Sequence, residues 1–116
     1  MNFYCPVNQP FLSVIIPARN EVKRLPLTLI DIDRHLSKAD FSYEIIVVDG
    51  ISTDGTPELV DKFKDIIANL KLVKLETNEG KGGAVKRWML EAEGRYRLFT
   101  DADNATTIDH FVWVEI

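Results

Sequence analysis

Four short apolar runs rich in β-branched residues, alternating with segments of helical periodicity, constrain this fold more than anything else in the chain. They occupy residues 12–16 (Leu-Ser-Val-Ile-Ile), 44–48 (Glu-Ile-Ile-Val-Val), 72–75 (Leu-Val-Lys-Leu) and 96–100 (Tyr-Arg-Leu-Phe-Thr). Between the first two, Leu25, Leu29, Ile32 and Leu36 recur at spacings of four, three and four, a single buried stripe on a helix with Pro26 in its first turn. Thr56-Pro57-Glu58 reads as the start of a second helix, with Thr56 capping and Leu59, Val60, Phe63, Ile66 and Ile67 facing inward. A third helix is expected after the Gly-rich 78–83, with Ala84, Val85, Trp88, Met89 and Ala92 inward and Gly94 as its stop. Thr106 or Thr107 could cap a further helix.

Strand–helix alternation of this kind dictates βαβ units and a parallel sheet. The expected fold is α/β and Rossmann-like, with helices on both faces and strand order 3-2-1-4. Runs two and four are almost continuously apolar, as strands buried on both faces are. In such sheets ligands bind beyond the carboxyl ends of the strands, where the strand order reverses. The polar clusters fall there: Ala18-Arg-Asn-Glu21 after strand one, 49–55 after strand two, 78–83 after strand three and 101–106 after strand four.

Each cluster suggests chemistry and has a plainer alternative. Asp101 and Asp103 lie on the same side of an extended chain, and two close carboxylates repel unless a cation intervenes. Mg²⁺ or Mn²⁺ suits one or two carboxylates and completes its shell with water and substrate phosphates; the alternative is a solvated loop. Asp49 ends a strand, where it can accept from a base or ribose or cap its own turn. Ser52, Thr53 and Asp54 read as turn chemistry first and ligand contacts second. Gly80, Gly82 and Gly83 permit close backbone approach to an anion, with Lys81 placed to meet a diphosphate or simply solvated. Arg19, Lys23 and Arg24 add positive charge near the first loop.

The remaining features mostly exclude. One hundred and sixteen residues with 46% hydrophobic content make one ordered domain, and a net charge of −4 argues against a nucleic-acid partner. A single cysteine, Cys5, forms no intrachain disulfide, and His35 and His110 have no partner at metal-ligand spacing. Neither a signal peptide nor a run long enough to span a bilayer is visible, which suggests a cytoplasmic protein. The glycine loop is neither Gly-x-Gly-x-x-Gly nor a Walker loop, and 101–106 does not fit a Ca²⁺ loop.

Taken in order, Val14-Ile-Ile-Pro-Ala-Arg-Asn-Glu21, Ile46-Val-Val-Asp-Gly-Ile-Ser-Thr-Asp-Gly-Thr56, Asn78-Glu-Gly-Lys-Gly-Gly-Ala84 and Phe99-Thr-Asp-Ala-Asp-Asn-Ala-Thr106 resemble the family 2 glycosyltransferases, inverting enzymes of the GT-A fold. The third and fourth motifs look most like those of the dolichyl- or polyprenyl-phosphate sugar transferases. The resemblance implies that Pro17, Ala18, Asn20 and Glu21 line a nucleotide, with Glu21 near the ribose and Asp49 at the base. It implies Lys81 at the diphosphate, Asp101 by ribose and phosphates, and Asp103 on Mg or Mn. The implied reaction moves a sugar from a UDP- or GDP-linked donor to an acceptor such as a lipid phosphate at a membrane surface.

This sequence departs from the family in having Gly50 and Ile51 where Asp and Gly are usual, and Ala105 where a Gln ligand often stands. Residues 1–116 correspond to the nucleotide-sugar-binding half, so the chain is expected to be a fragment, to lack its catalytic residues for the acceptor, and to be inactive alone. Two rival readings share the same residues. One is a nucleotide-binding remnant; the other is a haloacid-dehalogenase-like phosphotransferase with Asp101 as nucleophile and Asp103 as acid.

Overall fold

The computed structural model describes residues 10–77, 83, 86, 88–89, 92–100 and 114–115. Its elements in order are β1 (Leu12–Ala18), α1 (Leu25–Leu36), β2 (Tyr43–Asp49), α2 (Thr56–Phe63), β3 (Leu70–Lys74), β4 (Tyr96–Phe99) and β5 (Val114–Glu115). The sheet order is β3-β2-β1-β4-β5. The first four strands are mutually parallel in the expected 3-2-1-4 order, and β5 adds an antiparallel edge beside β4. That edge strand was not anticipated. Gly80, Lys81, Gly82, residues 101–113 and the caps expected at Thr106 or Thr107 lie outside the described residues.

Side-chain alternation along β1 and β2 divides the interior in two. Leu12, Val14, Ile16, Ile45 and Val47 pack against Leu25, Leu29, Ile32 and Leu36 of α1 and Val60 of α2. On the other face, Ile15, Ile46 and Val48 meet Ala92, with Trp88 and Met89 partly buried against them. The predicted stripe of the first helix therefore points where its periodicity placed it, as do Trp88, Met89 and Ala92 after the Gly-rich segment, while Ala84 and Val85 lie outside the described residues. The second helix differs: α2 ends at Phe63, and Ile66, expected inward, is 72% exposed in the turn that follows. Ile67 alone from that turn reaches the core.

Ser13 and Glu44 are polar residues in the second of these faces, and both are buried. The Ser13 hydroxyl donates to Glu44 Oε2, while Gly94 N–H donates to Ser13 Oγ at 2.8 Å and Glu93 N–H to Glu44 Oε2 at 3.3 Å. Lys71 of β3 completes the group with an ion pair to Glu44 Oε1 at 2.7 Å, and this holds the Lys71 ammonium above its ordinary pKa. One buried carboxylate thus ties together β1, β2, β3 and the turn entering β4. Gly94 is not left-handed, so it is no helix stop of the expected kind. Its requirement is steric: a Cβ there would fall 2.5 Å from Ser13 Oγ and 2.6 Å from Ser13 N.

Pro17 does not end β1, as its ring suggested; it pairs with Val48, and the strand continues to Ala18. The register explains why it is tolerated. Ile15 pairs with Phe99, and Thr100 N–H donates to the Ile15 carbonyl at 3.0 Å. The next rung of that parallel ladder would be an N–H of residue 17 donating toward β4, and proline has none. Among the described residues, pairing with β4 ends at Ile15 while pairing with β2 runs on to Ala18, a fork in the ladder of hydrogen bonds. The fork stands at the reversal of strand order.

Candidate functional site

Two loops rise from adjacent strand ends, where Ala18 pairs with Asp49 and Gly50 N–H donates to the Ala18 carbonyl at 2.8 Å. From there they are laced together by side chains. Asn20 N–H donates to Ser52 Oγ at 2.9 Å, and Thr53 N–H donates back to Asn20 Oδ1 at 2.8 Å. Glu21 N–H reaches Thr56 Oγ1 at 3.1 Å, and Val22 N–H reaches Asp54 Oδ2 at 3.2 Å. Backbone donors that neither strand nor helix can satisfy are thereby paired, and the loops become one wall.

The individual residues show how this is done. Asp49 is buried, and its carboxylate accepts both the N–H of Ser52, at 3.1 Å, and the Ser52 hydroxyl. Those two bonds leave lone pairs on each oxygen for a ligand donor. The turn they close holds Ile51 at φ 63°, an uncommon conformation for a β-branched residue. Asn20 is also left-handed, at φ 55°, which an Asn side chain tolerates better. Its Oδ1 is committed to Thr53, while its amide NH₂ remains a donor. Glu21 is gripped by Arg24, with Nη2 donating to Oε1 at 2.9 Å and Nε 2.7 Å from Oε2. Its carbonyl meanwhile accepts from Leu25 N–H at 2.9 Å, starting α1.

Thr56 was expected to cap α2. It is instead the first helical residue, after Gly55 at φ 93°, and its hydroxyl is turned to the neighbouring loop. Asp54 takes over the helix end, accepting from Thr56 N–H at 3.1 Å and from the Thr56 hydroxyl. These bonds, the Thr56 hydroxyl first, hold the Asp54 carboxyl below its ordinary pKa. Ser52, Asp54 and Thr56 are thus fasteners of the site, a role that sequence reasoning missed. The available signal was the prediction that strands one and two are neighbours, which puts their polar loops side by side.

Of the residues expected at the site, Pro17, Ala18, Asn20, Glu21 and Asp49 are brought together at the carboxyl ends of β1 and β2. Lys81, Asp101 and Asp103 lie outside the described residues, and no cluster of three or more metal-ligating side chains occurs among those described. Thr100, immediately before Asp101, is fixed to Ile15 on the β4 side of the fork. The carboxylates of 101 and 103 are hard oxygen donors, suited to Mg²⁺ or Mn²⁺.

Comparison with known proteins agrees with this arrangement. Residues 13–111 match the family model described as "Glycosyl transferase family 2". The dolichyl-phosphate beta-glucosyltransferase of Dictyostelium discoideum is 48% identical across 95% of this chain. The match occupies 36% of that relative, so the chain spans about a third of its length. Among solved structures, the mannosyltransferase PcManGT from Pyrobaculum calidifontis, in complex with GDP-Man and Mn²⁺, superposes with a TM-score of 0.69. It is 31% identical over 84% of this chain and 28% of its own. S. aureus TarS 1-349 in complex with UDP-GlcNAc gives 0.60 at 39% identity, over 79% of this chain and 26% of its own. The parallel sheet in 3-2-1-4 order and the likeness to these structures are those of a GT-A fold, and this chain belongs to the family 2 glycosyltransferases.

Proposed function

We propose that residues 1–116 form the nucleotide-sugar-binding half of an enzyme that transfers glucose from a nucleoside diphosphate to dolichyl phosphate, with inversion. The observation that carries this reading is the wall built from residues 18–22 and 49–56 at the carboxyl ends of β1 and β2, in a chain matched almost end to end by a dolichyl-phosphate beta-glucosyltransferase. A β-linked product from an α-linked donor is itself the signature of inversion.

In this reading Asp49 accepts from the base, the Asn20 amide and Glu21 face the ribose, and Lys81 meets the diphosphate. Asp101 lies by the ribose and phosphates, and Asp103 would hold Mg²⁺ or Mn²⁺, which when bound would supply Lewis-acid relief of the charge growing on the leaving diphosphate. The acceptor phosphate is already anionic and attacks the anomeric carbon with little help from a base. Such an acceptor puts the reaction at a membrane surface.

The test is transfer by the full-length protein from UDP-glucose and GDP-glucose to dolichyl phosphate, with and without Mn²⁺. One donor is used, chelation stops the reaction, and Asp103→Asn removes it while leaving the melting temperature in place. Nucleotide binding without transfer to any lipid phosphate would sink this reading in favour of the remnant.

A further inference from the structure

Arg19, Lys23 and Arg24 follow β1 closely, and the structure uses them differently. Arg24 is held by Glu21, and exposed Lys23 stands on the turn that enters α1. Arg19 sits directly at the strand end, exposed, with no side-chain hydrogen bond or ion pair among the described residues. The acids of the two loops are engaged elsewhere: Glu21 with Arg24, Asp49 with Ser52, and Asp54 with Val22 and Thr56. An exposed arginine is ordinary by itself. What singles this one out is its neighbour at position 50.

Gly50 is a glycine that its backbone does not require. Its φ lies outside the left-handed region, and a Cβ there would make only ordinary contacts: 3.6 Å to Arg19 Cβ, 3.7 Å to the Ala18 carbonyl oxygen and 4.0 Å to Arg19 Cδ. The same distances show that the Arg19 stem runs alongside Gly50. An aspartate at 50, the residue usual in the family, would bring its carboxylate within ion-pair reach of the guanidinium. Glycine at that position leaves Arg19 without an acid.

We propose that Arg19 is a phosphate-binding residue of this site, kept available by Gly50. A guanidinium presents a planar fork of donors that matches phosphate oxygens, and it stays charged throughout the working pH range. Its stem is anchored where the 18–22 and 49–56 loops meet, beside the residues proposed to line the nucleotide, so the phosphate belongs to the donor's diphosphate. The acceptor's lipid phosphate has the same chemistry, and the test separates the two. The inference rests on the proposed reading of the site as one for a nucleoside diphosphate sugar, and adds to Lys81 a second cation from a different loop.

Titration calorimetry of UDP and GDP into the full-length protein tests this, beside the KM of transfer for donor and for dolichyl phosphate. Arg19→Gln raises the dissociation constant of the preferred nucleotide about tenfold, the order expected for a lost charge-assisted hydrogen bond, and leaves the melting temperature of the unliganded protein in place. Arg19→Lys, which keeps the charge, recovers part of the loss. Lys23→Gln changes the affinity far less. Gly50→Asp weakens binding more than Gly50→Asn, which has the same size without the charge, and added salt narrows that difference.

Unchanged nucleotide affinity in Arg19→Gln with a raised KM for dolichyl phosphate assigns the same role toward the acceptor's phosphate. The inference is overturned if Arg19→Gln alters neither substrate, or if Arg19→Lys binds as poorly as Arg19→Gln, because the contact is then with a base and not a charge. It is overturned as well if Lys23→Gln does equal damage, because the effect is then the general field of the loop. If nucleotide binding depends on Arg19 while no sugar is transferred, the phosphate site stands and the proposed reaction falls. Transfer that is indifferent to Arg19 leaves the reaction standing and removes the site. Binding of neither nucleotide overturns both.

Discussion

Replacing Gly94 with alanine tests whether one contact holds the sheet closed at the end opposite the site. The new Cβ would lie 2.5 Å from Ser13 Oγ, 2.6 Å from Ser13 N and 2.9 Å from the Leu12 carbonyl carbon. A hydroxyl can rotate away, but the backbone of β1 is fixed between β2 and β4 and both residues are fully buried. The turn before β4 must therefore move. Overpacking of this kind costs about 1–3 kcal/mol. The shift also stretches the Gly94 N–H bond to Ser13 Oγ, a further ~1 kcal/mol. A loss of about 3 kcal/mol is a large share of the roughly 5–15 kcal/mol that holds a domain together.

Equilibrium urea unfolding should show a midpoint lower by about 1–3 M, since m for small proteins is about 1–3 kcal/mol/M. Adding Ser13→Ala to Gly94→Ala removes the hydroxyl and not the backbone obstruction, so it should not restore the midpoint. Stability of the Gly94→Ala protein within about 0.5 kcal/mol of the parent, or full rescue by Ser13→Ala, would refute the argument.

Three further outcomes are expected. Because the folded Asp54 carboxyl is held below its ordinary value of 3.8, its contribution is complete above that pH and is lost as pH falls through the lower folded value; Asp54→Asn should flatten the acid limb of stability, read as urea midpoint against pH, and weaken nucleotide binding by loosening the loops. Tyr43, raised to about 12 by desolvation and then by its bond to Asp33, should contribute stability below pH 10 that is lost between pH 10 and 12, and the late step in its alkaline absorbance titration should vanish in Tyr43→Phe. Pro17→Ala should supply the missing donor toward β4, so the amide of residue 17 becomes protected from hydrogen exchange while nucleotide affinity falls; a freely exchanging amide would count against the fork.

Strand order and the two faces of the sheet were legible because they follow from period and alternation, which are properties of a segment by itself. Leu25, Leu29, Ile32 and Leu36 needed no knowledge of their neighbours to be assigned to one stripe. Ile66 misled because it keeps the period of α2 after the helix has ended at Phe63. The partnership of Asn20 with Ser52 and Thr53, by contrast, exists only once β1 and β2 are side by side. Thr56 followed the local rule for a cap, yet its hydroxyl serves the other loop. The left-handed turn at Ile51 runs against the preference of its own side chain and is imposed by Asp49 and Ser52. Backbone conformations of that class cost of order 1–3 kcal/mol, and no window of sequence reveals what compensates them.

Pro17 gives the fork an origin that side chains do not control. A cleft bounded by bulky residues can be filled or widened by a single substitution, whereas this one is bounded by a hydrogen bond that cannot form. Gly50 and Ile51 depart from their family in the loop after β2, and that loop can diverge further without supplying the N–H that Pro17 lacks. Its residues can change one by one while the imino acid in the central strand still withholds the donor that would extend the ladder toward β4.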